Sequence, residues 1–515
     1  MSDIFYTNFA LRHNDVLLSL YKHGKKEHVA IPYKPSLFIP TDEPTEYFDH
    51  LGFPVRKITF SNIRTAKDFV LAIEEKQKSG EYDLVPPEVY GFQRYDAACV
   101  ADLFKSDLDV DLNQIKTMYF DIETSTDFGF PDVETAMERI TSICCLIRDQ
   151  FYVLGMKDYT PKTSNVRYVR CFTEAELLQS FINYIIKEDP DILIGYNSEQ
   201  FDIPYLVKRI ERILGDGKSK ELSPWKQIQS RKMFVNGYQY TAYDFVGRQC
   251  LDYLTLYQKF IPGKPENYKL DTITSSELGE GKIKFECSFS ELYENHFEKF
   301  IDYNIQDVLL LTKLEEKLNL VRMVLTIAYI AKINYSDVFK QVRIWDALIF
   351  NEFKKHKIVM PPSRDSNKEV QFAGADVKPP LVGMHKDVVS FDVNSLYPMI
   401  MTQYNISPET LQQDIHVPTT VQKILDREID FSPEKTTYSF TANGVCFAKQ
   451  KQGFLPMIIE RMYSDRKKYK KLKVTKDKEL QEINRVIEMR KCNGSKEENP
   501  KTKNYDKEET NQGQI

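Results

Sequence analysis

The chain has 515 residues, with 70 basic and 75 acidic side chains and a formal net charge of −5. With 42% hydrophobic residues, 32 Phe and 30 Tyr it holds ample core material, which excludes wholesale disorder, and it has room for about three to five domains. Apolar runs such as Thr141–Ile147 and Ile192–Gly195 fall far short of the roughly 20 residues of a membrane span. Met1–Asp15 lacks the apolar stretch of a secretory signal, and the eight Cys lack metal-type spacing. A reduced, cytoplasmic protein is expected. The net charge by itself argues against nucleic acid as a partner.

Residues 1 to about 115 alternate short apolar and aromatic runs (Ile4–Tyr6, Val16–Leu20, Val29–Pro32, Leu37-Phe38) with turn residues, predicting a β-rich domain. From Ile115 onward strand and helix patterns take turns. Strands are predicted over Ile115–Ile122, Ile140–Ile147, Phe151–Leu154 and Asp191–Gly195, and helices over Glu174–Lys187 and Ile203–Leu214, which argues for an α/β domain. Cys144-Cys145 sits in an apolar run and reads as buried strand. Asn236-Gly237 between aromatic runs predicts a two-residue hairpin. Residues 290–333 read as helix, Pro361–Pro380 as a crossing between domains, and a buried strand with Val388–Phe391 starts at Asp387. Met457–Met489 reads as one long basic helix. Lys491–Ile515 has only Cys492, Tyr505 and Ile515 as apolar or aromatic residues and is expected to be disordered.

Three segments carry a first set of carboxylates. The strand Met118-Tyr119-Phe120 runs into Asp121-Ile122-Glu123, and side chains two apart on a strand share a face. Of the five Asp-x-Glu triplets, at Asp121, Asp132, Asp426, Asp477 and Asp506, only the first ends an apolar strand. The second segment runs from the strand Ile192–Gly195 through a turn to Asp202, which opens a helix and alone would read as a helix cap. In the third, Tyr303 and Asp307 lie four apart on one helical face; alone they would read as a boundary Tyr and a surface Asp. Two hard divalent cations about 4 Å apart need several such carboxylates, and a nearby Tyr hydroxyl can orient the attacking water. Phe-Asp-Ile-Glu-Thr, Asn-x3-Phe-Asp and Tyr-x3-Asp, in that order, resemble the three exonuclease motifs of family B DNA polymerases. The resemblance implies a ribonuclease H-like 3′→5′ proofreading domain with Asp121, Glu123, Asp202 and Asp307 as metal ligands and Tyr303 as a catalytic partner.

A second set begins with Val388–Phe391 and Asp392, followed by Val393-Asn394-Ser395-Leu396-Tyr397-Pro398. It resembles motif A of the same family, Asp-x2-Ser-Leu-Tyr-Pro. Asp392 would then be a catalytic metal ligand, Ser395 and Leu396 would offer backbone N–H groups to a triphosphate, and Tyr397 would stack under the sugar and select deoxynucleotides. Asn405–Thr410 and the run from Ile115 onward, with the Asn236-Gly237 hairpin, resemble the replicative polymerases of T-even-type bacteriophages, in which such a hairpin helps pass the primer strand to the exonuclease. From Arg461 to Lys491 there are 12 basic and 5 acidic residues, a local charge of 12 − 5 = +7. Charge runs on helices are usually solvated faces; here Arg466 and Lys470, four apart, match the pair that contacts the incoming triphosphate on the first fingers helix.

No Asp-Thr-Asp triplet of motif C occurs, and motif B and the thumb have no counterpart in these residues. The expectation is the N-terminal subunit of a split DNA-directed DNA polymerase, α/β and α+β multidomain. Its parts would be an N-terminal domain over 1–115 returning at 320–363, an exonuclease over 116–319, the first part of a palm over 364–452, the first fingers helix over 453–490 and a tail over 491–515. Expected cofactors and partners are two Mg²⁺ per active site (Mn²⁺ as an alternative), primer-template DNA, deoxynucleoside triphosphates, and a second chain bringing motifs B and C and the thumb. Sliding-clamp contact would pass through that chain. The alternatives are a free-standing 3′→5′ exonuclease and a non-catalytic nucleic-acid-binding fragment.

Overall fold

The computed structural model describes residues 4–79, 88–362, 378–429 and 437–494, apart from the single positions 109, 128 and 236. The chain divides into two compact units, the first formed by Met1–Asp49 and Phe53–Arg364 and the second chiefly by Asp365–Ile515. No described helix is long and apolar enough to cross a membrane.

The first unit opens with an antiparallel sheet of β1 (Ile4–Arg12), β2 (Asp15–Lys22) and β3 (Lys25–Pro32), then the pair β4 (Ser36–Pro40) and β5 (Val55–Thr59). Two helices follow, α1 (Ile63–Ser79) and α2 (Tyr95–Leu103). A six-stranded mixed sheet comes next, built from β6 (Thr117–Thr124), β7 (Ile140–Ile147), β8 (Gln150–Gly155), β9 (Val166–Arg170), β10 (Ile192–Gly195) and β13 (Gln249–Asp252) in the order β13-β10-β6-β7-β8-β9. Helices α3 (Glu174–Glu188) and α4 (Asp202–Leu214) come between its strands in sequence. The hairpin of β11 (Ile228–Val235) and β12 (Tyr238–Phe245) closes with Val235 opposite Tyr238 and Gly237 at φ 84°, a left-handed conformation that suits glycine. Asn236, the other half of the predicted turn, lies outside the described residues.

Helices α5 (Tyr253–Phe260), α6 (Leu270–Leu278), α7 (Phe289–Asn295), α8 (Phe297–Leu318), α9 (Leu320–Ala331) and α10 (Gln341–Lys355) complete the unit. Residues 328–334 fold back on β1. The Tyr6 hydroxyl donates toward Ala328 O and Ile333 O, and the Tyr329 hydroxyl donates to Tyr6 O at 2.8 Å.

The burial pattern follows strand parity. Along β6, Met118, Phe120, Ile122 and Thr124 are buried, while Tyr119, Asp121 and Glu123 share the other face. Met118, Phe120 and Ile122 enter a core with Leu177, Phe181 and Ile182 of α3 and Leu206 and Ile210 of α4. Every residue of β7 is buried, Cys144 and Cys145 included, as its apolar run requires of a strand covered on both faces.

The second unit contains α11 (Leu396–Tyr404), β14 (Leu411–His416), α12 (Val421–Leu425), β15 (Tyr438–Phe440), β16 (Val445–Ala448) and α13 (Phe454–Gly494), with sheet order β14-β16-β15. Helix α13 extends past the predicted end at 489–490, so residues 491–494 of the expected tail are helical; 495–515 lie outside the described residues. So do residues 363–377, most of the predicted crossing. The strand expected from Asp387 does not form. Val388, Val389 and Phe391 are 74%, 71% and 91% exposed. A strand needs hydrogen-bonding neighbours, and no described strand pairs with these residues.

Candidate functional site

The first carboxylate set converges where β6 meets α8. Strand parity turns Asp121 and Glu123 the same way, opposite the core-facing Phe120 and Ile122. On α8, Phe300, Ile301 and Val308 seat the helix in a core with Cys144 and Leu146 of β7, and Asp307 lies on the buried side rather than the surface. Asp121, Glu123 and Asp307 each bring a carboxylate oxygen within 4.8 Å of the others.

Asp202 does not join this group of three. Its Oδ1 accepts from Ile122 N at 3.3 Å, on the peptide between Asp121 and Glu123, so it stands one peptide away from the cluster. The turn that delivers it is tight. A Cβ on Gly195 would stand 2.6 Å from Ser198 Cβ and 3.2 Å from Phe120 O.

Two residues that sequence reasoning missed complete the surroundings. Lys282, in the loop after α6, donates from Nζ to Asp307 Oδ2 at 2.6 Å and to the Tyr303 hydroxyl at 2.8 Å, and lies 5.0 Å from the Tyr303 ring centre. Asn304, fully buried on α8, donates to Asp121 Oδ2 at 2.8 Å and accepts from Ser142 Oγ at 2.9 Å. A lone Lys in a Gly-flanked polar loop carries no signal. Asn304, adjacent to Tyr303, could have been found from its place on the helical face that turns toward Asp307.

The electrostatics are strained in a consistent direction. Burial, then repulsion from Glu123, Asp202 and Asp307, pushes the Asp121 carboxyl well above its ordinary range. Burial and Asp307 do the same to Glu123. Asp307 is raised by burial and partly relieved by Lys282, whose own pKa is driven up by Asp307, Tyr303 and Asp121 against the burial that opposes it. Asp202 is pushed up to about 7 by burial, against the hydrogen bond from Ile122. One buried oxygen, Asp307 Oδ1, has no hydrogen-bond partner. An all-oxygen donor set, mutual repulsion and a free buried acceptor fit a hard divalent cation.

The second set lies in the second unit. Asp392 is exposed in coil, Ser395 takes a left-handed φ of 55° just before α11, and Leu396 and Tyr397 open that helix, 46% and 74% exposed. Arg466 of α13 donates from Nη1 to Ser395 Oγ at 3.1 Å, which joins the basic helix to the turn after Asp392. Lys470 is exposed on α13, one turn beyond Arg466. The N-terminus of α13 is held by the Asn405–Thr410 segment: Asn405 Oδ1 accepts from Gly453 N at 2.8 Å and Glu409 Oε1 from Phe454 N at 2.6 Å.

A mixed sheet with a buried carboxylate cluster at one helix, in a chain whose second unit sets a basic helix against the turn after Asp392, defines a multidomain α/β protein with an acidic cluster suited to a divalent cation. Comparison with known families gives the rest. Residues 93–273 match the exonuclease domain of DNA polymerase family B, and residues 337–487 match DNA polymerase family B itself. The DNA-directed DNA polymerase of Escherichia phage RB69 is 31% identical over 481 residues, covering 87% of this chain and 51% of the relative. That of Enterobacteria phage T4 is 28% identical over 516 residues, covering 95% of this chain and 56% of the relative. The chain belongs to family B of the DNA polymerases, and it spans about half the length of these two relatives.

Proposed function

We propose that the first unit is a 3′→5′ exonuclease acting on DNA and that the second carries the motif A half of a DNA polymerase site. The observation that carries this reading is the gathering of Asp121 and Glu123, which lie in the stretch similar to a family B exonuclease domain, with Asp307, and with Tyr303 and Lys282 at the rim. Asp121, Glu123, Asp307 and Asp202 would hold two Mg²⁺, or Mn²⁺, which when bound supply an activated water and neutralise the charge on the leaving oxygen. Tyr303, its hydroxyl held by Lys282, would orient the attacking water. Asn304 fixes the Asp121 carboxylate, and Lys282 partly offsets the burial that disfavours the ionised form of Asp307.

In the second unit Asp392 would hold the metals of nucleotidyl transfer. Ser395 and Leu396 would present N–H groups to the triphosphate of a deoxynucleotide, Tyr397 would face its sugar, and Arg466 and Lys470 would approach its phosphates. The domain reading is 1–115 with 320–363, then 116–319, 364–452 and 453–490. Motifs B and C and the thumb would come from a second polypeptide, which would also carry any sliding-clamp contact. The exposed apolar residues around Asp392 support a covering partner, since Phe391 and Val389 would otherwise stay in water. The setting for primer-template DNA is the cytoplasm.

The exonuclease reading is tested on single-stranded DNA with the chain alone. Mg²⁺-dependent trimming from the 3′ end is expected, with a loss of about 10²- to 10³-fold in Asp121→Ala, as for removal of a group stabilising transition-state charge. Trimming unchanged by that substitution would sink it. The polymerase reading is tested by primer extension with and without the candidate second chain; no extension on mixing overturns the two-chain arrangement and favours a free-standing exonuclease.

A further inference from the structure

The turn between β10 and α4 brings Asp202 beside the carboxylate cluster, against the Ile122 N–H, and its shape is fixed from outside. Asn197 adopts a left-handed φ of 61°, a conformation that Asn tolerates better than most non-glycine residues. The N–H groups of residues 197 and 199 are both taken by one carboxylate, Asp252 at the C-terminal end of β13. Its Oδ1 accepts from Asn197 N at 2.9 Å and its Oδ2 from Glu199 N at 3.3 Å. Oδ1 also accepts from Leu254 N at 2.9 Å, capping α5. Capping a helix needs only one oxygen; the rest of this carboxylate's capacity goes to the turn.

The placement is enforced by the sheet. β13 pairs in parallel with β10, with Asp252 in register with Gly195, so the carboxylate stands level with the start of the turn. Asp252 is buried, and its hydrogen bonds come from main-chain N–H groups alone. At the other end of the turn Asp202 accepts from Ile122 N on β6, between Asp121 and Glu123. One buried side chain on β13 is thereby coupled through five residues of turn to the cluster two strands away.

We propose that Asp252 is a positioning residue of the metal centre, setting the turn conformation that places Asp202. The inference rests on the metal-centre reading above. It is tested in the full chain with Asp252→Asn, which keeps the size but sets an amide N–H₂ against a main-chain donor. Binding of Mn²⁺ alone, followed by electron paramagnetic resonance or calorimetry without DNA, is expected to weaken about 10- to 100-fold, the usual effect of removing a group that orients a metal ligand. Exonuclease kcat is expected to fall about 100-fold with KM nearly unchanged, as for an approximately 1 Å misplacement in a site.

Thr173→Ala, which removes the cap of α3, is the structural control: it lowers Tm and leaves Mn²⁺ affinity alone. Should the Asn variant not fold, Asp252→Glu keeps both acceptors, displaced by one methylene, and gives the same readout. Parental Mn²⁺ affinity in a folded Asp252 variant, while Asp121→Asn loses both binding and activity, overturns the positioning role alone. Intact binding and activity in Asp121→Asn overturn the metal-centre reading itself.

Discussion

Asp121, Glu123 and Asp307 bring more negative charge together than their surroundings tolerate, and the sign of their pKa shifts says when this matters. An acid whose folded pKa lies above its ordinary value is held more tightly as the protonated form in the native state than in the unfolded chain. Its burial carries little penalty below about pH 4, and the native state loses stability as the pH rises through the folded value. For Asp202 that value is about 7, and Asp121 and Glu123 shift in the same direction. A divalent cation bound to the ionised cluster offsets the loss. Millimolar Mg²⁺ is therefore expected to raise Tm by several degrees at pH 8 and by much less at pH 5. Thermal denaturation at the two pH values checks this, and equal shifts would count against a carboxylate metal centre. The cluster's members were legible as a set, because their three segments in order resemble the exonuclease motifs of family B DNA polymerases, whereas alone Asp202 and Asp307 read as a helix cap and a surface residue. Lys282 was not, since a loop gives no periodicity from which to infer what a side chain faces.

Among the elements, β6 and the β10–α4 turn do most to build the site. Parity along β6 separates Phe120 and Ile122 from Asp121 and Glu123, so one short strand serves both the core and the cluster. Hydrophobic alternation made this readable. The turn was less so: Asp202 at a helix start reads as an ordinary cap, yet its carboxylate turns to Ile122 N on a neighbouring strand. Gly195 is the pivot, because a Cβ there would meet Ser198 Cβ at 2.6 Å. Gly195→Ala is expected to destabilise the chain by about 1–3 kcal/mol through overpacking. It should also lower exonuclease kcat more than KM. Denaturant unfolding together with steady-state kinetics would show it, and a variant as stable and active as the parent would mean that the turn yields freely.

On the scale of the molecule, the two units differ in how completely they bury their own apolar residues. The first closes several cores, with Tyr6, Phe120, Phe181 and Phe300 almost wholly buried. In the second, Val388, Val389, Phe391 and Val393 stay exposed beside Asp392. Amide hydrogen exchange at residues 388–393 is expected to be fast in this chain alone and slow in an assembled polymerase, because ladder hydrogen bonds protect only once a neighbouring strand is present. Protection in the isolated chain would show that these residues find partners among themselves. The buried strand read from Val388–Phe391 was a sound inference from composition, but composition records what a segment could bury and not what covers it.

The sequence alone determined most elements of the first unit and the face of β6 that carries Asp121 and Glu123, because periodicity and turn chemistry are local properties of the chain, while the two sets of motifs were read from the resemblance to family B polymerases. Strand order β13-β10-β6-β7, the approach of Asp307 to Asp121 and Glu123, and the partners Lys282, Asn304 and Asp252 depended on tertiary structure. Those contacts join residues dozens to nearly two hundred positions apart, and their free energy comes from burial and desolvation that exist only once the sheet and its helices have packed.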